Sequence, residues 1–355
     1  MEKETALFQL SSRGPVPRVA ASCAAAGFVI AAGMPLSAHA DSGIGYPKID
    51  FYGQIDLELA KFDGQTYKTE TTGSTSRVGV KASQDLNYGL RGLMQLEHQL
   101  NPDDGTQYNS GSFWSGRATL GVEGQFGRIL LGRDVNPSHY VESAADPFTQ
   151  DGMAGGYAQR GGISRANGAP GAIDTVRTNN SVNYYYAGGG FVFRAQTALR
   201  ENTNPNGNNP YSASLIYVNG PLQVGVSYLN PALRIDHWSY ASAVYDMKAA
   251  KLFLGLGSGV NTFDQQIRNQ FAGVSTRIGP GEARASFSRT TSNGTVIQAK
   301  SAAGYFLPLA ANWTVYSDVV YDSEAAKYQY GAHGWAGPGA AVGRFGYDAG
   351  LKFVF

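Results

Sequence analysis

The chain has 355 residues, of which 43% are apolar and only 15% charged, with 46 Gly, 21 Tyr, 17 Phe and a formal net charge of +1. So even a charge balance gives no reason to expect nucleic acid as a partner. The glycine and aromatic content suits one large all-β body as well as it suits two small domains.

The first forty residues have their own logic. Lys3, Arg13 and Arg18 precede a run of small and apolar residues from Val19 to Leu36, and Ala38-His39-Ala40 stands just before Asp41. Small residues at those two positions are what a signal peptidase accepts, so residues 1–40 read as a cleaved leader and 41–355 as the mature chain. A membrane anchor is the weaker reading, because the run contains Ser22, Cys23, Gly27 and Gly33 and ends at a cleavage-like site. Cys23 is the single cysteine and leaves with the leader, which removes disulfides and thiolate metal sites from the mature chain. Taking Lys3, Arg13 and Arg18 from the 28 basic residues and Glu2 and Glu4 from the 27 acidic ones leaves 25 of each.

After Ala40 nothing approaches the ~18 consecutive apolar residues of a spanning helix. Dyad alternation recurs instead. In KIDFYGQIDLELAKF, Ile49, Phe51, Gly53, Ile55, Leu57 and Leu59 share one face, and Asp50, Tyr52, Gln54, Asp56 and Glu58 share the other. A face so rich in carboxylates has to meet water. Val78 and Val80 alternate with Arg77, Gly79 and Lys81; Met94 and Leu96 with Gln95, Glu97 and Gln99; Ala118, Leu120 and Val122 with Arg117, Thr119, Gly121 and Glu123. Further strands are expected at 127–134, 178–187, 190–200, 211–218, 221–229, 237–246, 250–259, 268–277, 281–290, 295–307, 311–322 and 343–355. The total is about sixteen, many near the ~9–11 residues that cross a bilayer when tilted.

The connectors alternate as well. Short ones such as GQFG at 124–127, NG at 219–220 and GPG at 279–281 are turn sequences, and between them lie long polar loops such as NPDDGTQYNSG, ENTNPNGNNP and 323–342. Short turns at one end and long loops at the other describe a membrane barrel, whose closure pairs every backbone group. A soluble sandwich or propeller with one wet face is the competing fold, and the chain shows no blade repeat of ~40 residues.

The segments FYGQIDLEL, SRVGVKASQDLNYGLRGLMQLE, RATLGVEGQFGRILLGRD, RTNNSVNYY and the closing aromatic strand, taken in order from Ile49 to Phe355, resemble the general diffusion porins of the Gram-negative outer membrane. The resemblance implies an all-β fold: a sixteen-stranded antiparallel transmembrane barrel with the third long loop folded into the lumen. It implies a homotrimer in contact with outer-membrane lipids that passes small hydrophilic solutes. It also makes the terminal Phe355 the signal read by the barrel-assembly machinery. No cofactor, metal or catalytic residue is expected.

One connector is out of scale. From Val135 to about Thr178 some forty residues lack alternation, where loops beyond ~12–15 residues are usually functional or disordered. Its Tyr140, Val141, Phe148, Met153 and Tyr157 would be buried if it folded inward onto the wall. It carries Glu142, Asp146 and Asp151, while the family's arginine cluster maps onto Arg77, Arg133 and Arg177. Acids on the loop facing arginines on the wall would set a field across a constriction. Arg133 shares a parity with Ile129 and Leu131, so a lumenal position for it requires a bulge. Gln54, Asp56, Lys81, Glu97 and Arg117 are further lumen-lining candidates, whereas Arg91 and Arg194 read as solvated wall residues.

Weaker signals remain. GLGSG at 255–259 has no following helix to make a dinucleotide loop, Asp103 and Asp104 read as a solvated turn, and no GxSxG elbow is present. The alternatives to a passive pore are a barrel enzyme, a hydrolase or protease with its site on the rim, and an adhesin or receptor barrel using the long loops.

Overall fold

Alternation of apolar and polar residues makes each segment a strand with one greasy and one wet face, and such strands can satisfy both faces by closing into a ring. The computed structural model describes residues 45–62, 69–71, 74–150, 152–155, 176–199, 209–232, 235–261, 263–324 and 344–355. In chain order these form β1 (Lys48–Phe62), β2 (Thr69–Thr71), β3 (Ser76–Asp85), β4 (Arg91–Asn101), β5 (Thr106–Gln107), β6 (Arg117–Gly124) and β7 (Gly127–Val135). A helix α1 (Pro137–Ala144) follows, then β8 (Arg177–Gly188), β9 (Phe191–Ala198), β10 (Tyr211–Asn219), β11 (Leu222–Asn230) and β12 (His237–Asp246). The chain finishes with β13 (Ala250–Val260), β14 (Gln266–Ile278), β15 (Gly281–Ser292), β16 (Thr295–Ala310), β17 (Trp313–Asp322) and β18 (Phe345–Val354).

Of these, β2 and β5 are short pieces at the loop end, and the remaining sixteen form the expected antiparallel barrel. Consecutive long strands pair throughout, and β1 closes the ring against β18 from Gln54↔Val354 to Phe62↔Gly346. Phe355 continues that seam: its N–H donates to Gly53 O at 3.0 Å and its carbonyl accepts from Gly53 N–H at 2.9 Å. The apolar ladder that ends the chain is therefore a paired strand and not a free edge.

The distribution of side chains is inside out relative to a soluble protein. Phe51 is 78% exposed and Leu120 68%, while Asp56 and Glu58 of β1 are only 2% and 3% exposed. The apolar band faces outward, where the surrounding solvent is hydrocarbon, and the polar face is turned inward.

The long connector after β7 opens with α1, which the absence of strand alternation had left without a form. The Asn136 side chain accepts from Ser138 N–H at 2.9 Å and Pro137 occupies the first turn, two ordinary ways of starting a helix. Val141 then packs with Ile216, Leu229, Trp238, Tyr240 and Ile267, and Tyr140 packs against the same cluster. Further along, Phe148, Met153 and Ala154 cluster with Ala60, Ala302 and Val320, with Phe306 against them. Val141, Phe148 and Met153 are thus buried against residues of β1, β10–β12, β14, β16 and β17. Tyr157 and Asp151 lie outside the described residues, as does the leader reading for 1–40.

Candidate pore-lining site

The inward face between β1 and β9 gathers most of the expected wall charges. Glu97 on β4 stands opposite Gly79 of β3, in register with Arg117 of β6. Its carboxylate lies 3.7 Å from Arg77 Nε and 3.9 Å from Arg177 Nη2, and it accepts from the Tyr52 hydroxyl at 3.0 Å. One acid thus sits between two arginines contributed by strands far apart in sequence. Lys81 stands over the Tyr52 ring, 4.5 Å from its centroid.

Arg117 joins this group. Its Nε lies 3.3 Å from Asp134 Oδ1, one Nη donates to the Tyr140 hydroxyl at 2.7 Å, and the other donates to Gln95 Oε1 at 3.3 Å. The second Asp134 oxygen accepts from the Tyr185 hydroxyl. Arg194 lies over the Tyr140 ring at 4.1 Å. It is therefore engaged with the long connector, which its reading as a solvated wall residue did not anticipate. Arg91 does follow that reading, exposed and paired with Asp85 at 3.1 Å.

Arg133 does not reach the cluster. The β7–β8 register does shift between Gly132 and Asp134, the bulge that the parity argument required. The extra residue, however, lies on β8: Gly132 pairs with Ser181 and Asp134 with Thr178, so β7 keeps its alternation. Arg133 pairs across from Ala118, on the outward face with Leu120 and Leu131. Its Nε donates to Ser115 O at 2.9 Å and its Nη1 to Asn179 Oδ1 at 2.6 Å, in an outer cleft shared with Phe113 and Trp114.

The loop acids are also placed differently from the expectation. Glu142 is 0% exposed and accepts from Ser138 Oγ at 2.6 Å, within the seam where α1 meets the wall. Asp146 is 1% exposed; its two oxygens accept from Phe148 N–H and Gln150 N–H, both at 2.9 Å, across a turn in which Thr149 and Gln150 have φ of 57° and 61°. Asp146 thereby pairs the N–H groups of this turn, with Thr149 N–H on its backbone carbonyl. The two buried carboxylates therefore hold the connector to itself.

An acidic arc lies elsewhere, on the strands that close the barrel. Asp56 Oδ1 accepts from the Tyr316 hydroxyl at 2.6 Å, which lies 3.1 Å from Glu58, and Asp318 is in direct register with Asp348. Asp56 also accepts from Ser74 N–H at 3.0 Å and lies 3.8 Å from Lys352 Nζ, while Gln54 Nε2 donates to Ser74 Oγ at 2.6 Å. Alternation along β18 points Asp348 inward and that along β17 does the same for Asp318; their adjacency depends on register. Lys300 on β16 donates to Met153 O at 2.7 Å and Gly155 O at 2.8 Å, tying residues 153–155 of the connector to the wall. The Asp103–Asp104 pair is a turn: Asp104 Oδ1 accepts from Thr106 Oγ1 and N–H, which hold its carboxyl below the usual range.

A closed antiparallel ring with an apolar outer band and charged inner arcs is a transmembrane β-barrel of the outer-membrane type. A family model described as Gram-negative porin matches residues 20–327, and the chain belongs to that family. An outer membrane porin protein of Bordetella pertussis is 30% identical over 211 residues, 53% of this chain and 51% of that protein. Outer membrane porin protein 32 of Delftia acidovorans is 29% identical over 192 residues, 50% of this chain and 52% of that protein. These alignments thus span about half the length of the curated relatives. Among solved structures, an anion-selective porin from Comamonas acidovorans superposes with a TM-score of 0.70 at 21% identity, covering 87% of this chain and 100% of that one. The trimer form of OmpT from Vibrio cholerae gives 0.65 at 16% identity, covering 88% and 100%. The chain is accordingly an outer-membrane protein.

Proposed function

We propose that the barrel is a passive diffusion channel for small hydrophilic solutes and ions, narrowed by the 135–177 connector folded into its lumen. The observation that carries this reading is the packing of Val141 and Phe148 onto inward-facing wall residues on two different arcs, beside the Glu97 carboxylate held between Arg77 and Arg177. Basic residues on β3, β6, β8 and β9 occupy an arc of the wall that adjoins the acidic arc of β1, β17 and β18, and the separated charges set a transverse field that orients a permeating dipole. The work is done by geometry and charge, with no bond made or broken.

The chain acts as a homotrimer, a reading favoured by the trimer form of its structural relative. Residues 1–40 are removed on export, and Phe355 is the residue that the barrel-assembly machinery engages. Planar-bilayer recording of purified protein tests the channel: stepwise ohmic currents closing in threes at high voltage are expected, and silence from folded protein would overturn the reading. N-terminal sequencing of the mature protein should begin at Asp41.

A further inference from the structure

The outer wall carries a second polar feature in a place where apolar residues are the rule. Along β14, Ile267, Asn269 and Phe271 are turned inward and buried, which sends Gln266, Arg268 and Gln270 to the membrane side. On β15, Arg289 faces the same way, in register with Gln270, while Arg268 pairs with Thr291. These residues line a cleft of about 430 Å³ with Gly294 at its edge.

The two arginines are diagonal neighbours in the ladder, a relation that puts Cα atoms about 7–8 Å apart. Among the described residues neither guanidinium has a hydrogen-bond or ion-pair partner. Two unpaired like charges side by side on a lipid-facing wall repel each other, and they are tolerated only near the membrane surface. Height in the membrane agrees with this. Arg268 is the third residue of β14, which starts at the same end as the connectors 135–177, 198–211 and 322–345, the long-loop and hence external end. One step inward the outer surface becomes apolar again, with Leu254, Ala272 and Phe287 in one row.

The cleft is also left open. β15 and β16 are joined by Asn293 and Gly294 alone, whose φ of 47° and 83° suit a two-residue hairpin turn, so that turn cannot overhang it. A pair of guanidiniums at headgroup height, flanked by glutamine and threonine donors above an apolar row, matches a phosphate group attached to acyl chains. We propose that Arg268 and Arg289 bind the phosphate of an anionic lipid headgroup in the outer leaflet. Gln266, Gln270 and Thr291 contact its polar surroundings, and Leu254 and Phe287 contact its chains. The inference rests on the outer-membrane location and is independent of the channel reading.

The test uses the full-length barrel in nonionic detergent and native mass spectrometry with three probes. These are a bisphosphorylated glucosamine-disaccharide lipid, the same lipid with its phosphates removed, and inorganic phosphate. The wild-type protein should retain the phosphorylated lipid, and Arg268→Gln and Arg289→Gln should each weaken it about tenfold, the effect of losing one charge-assisted contact. The double variant should keep the wild-type heat-induced mobility shift, which shows that it is folded. Equal retention by the folded double variant, or equal binding of the dephosphorylated lipid, would overturn the proposal. Inorganic phosphate binding as tightly as the lipid would also overturn it, by making the cleft a soluble-anion site.

Discussion

Lys300→Met isolates the contact that ties the long connector to the far wall. Lys300 is 4% exposed, and its ammonium donates to the carbonyls of Met153 and Gly155 at 2.7 and 2.8 Å, with Asp146, Asp322, Asp318 and Asp348 as its electrostatic neighbours. A hydrogen bond to a charged group contributes about 1.5–3 kcal/mol net. Loss of two, partly offset by water reaching the freed carbonyls, amounts to about 3 kcal/mol, or on the order of a 100-fold rise in the undocked fraction of this segment. The barrel itself is held by sixteen paired strands and should keep its thermal stability, because the broken contacts lie between connector and wall. Single-channel recording is the assay: the variant should show larger open-channel noise and close at lower voltage, with Lys300→Arg closer to wild type. A folded Lys300→Met channel with wild-type noise and closing voltage would refute the claim that this ammonium anchors the connector.

Other outcomes follow from the same charges and contacts. Arg77→Ala and Arg177→Ala should each move the reversal potential in a salt gradient towards cation preference, whereas Arg133→Ala, on the outer face, should leave it unchanged. Glu97→Gln should move it the opposite way, because the acid between those two arginines loses its charge. Val141→Ala removes two methyl groups from a fully buried cluster, about 1.6 kcal/mol of transfer free energy. Protease cleavage within the 135–177 connector should rise, with the heat-induced mobility shift of the barrel unchanged. Phe355→Ala keeps the two backbone bonds to Gly53 but removes the ring stacked on Phe353 at 5.5 Å. The yield of assembled protein in outer-membrane fractions should fall more than the melting temperature of what does assemble.

Much of the barrel could be read from period two alone. Sixteen alternating segments separated by short and long connectors specify the strand count, the inward and outward faces and the closing role of GYDAGLKFVF, because a strand between lipid and water has to alternate. Parity alone points Arg133 outward with Ile129 and Leu131, and the bulge leaves it there because the inserted residue lies on β8. The helix α1 was not visible as alternation, yet Asn136-Pro137 is a legible start signal.

What residue order could not supply was which side chains meet across the ring. Glu142 and Asp146 read as lumenal acids because they are charged and lie on the long connector, but both are buried and accept hydrogen bonds from within that connector. The acidic arc comes instead from β1, β17 and β18, where Asp56 and Tyr316, 260 positions apart, share a hydrogen bond. Local periodicity therefore determined the strands and the direction of nearly every side chain in them. Only barrel closure, register and the docking of the connector decided which charges stand together, since those depend on pairings between residues distant in the chain.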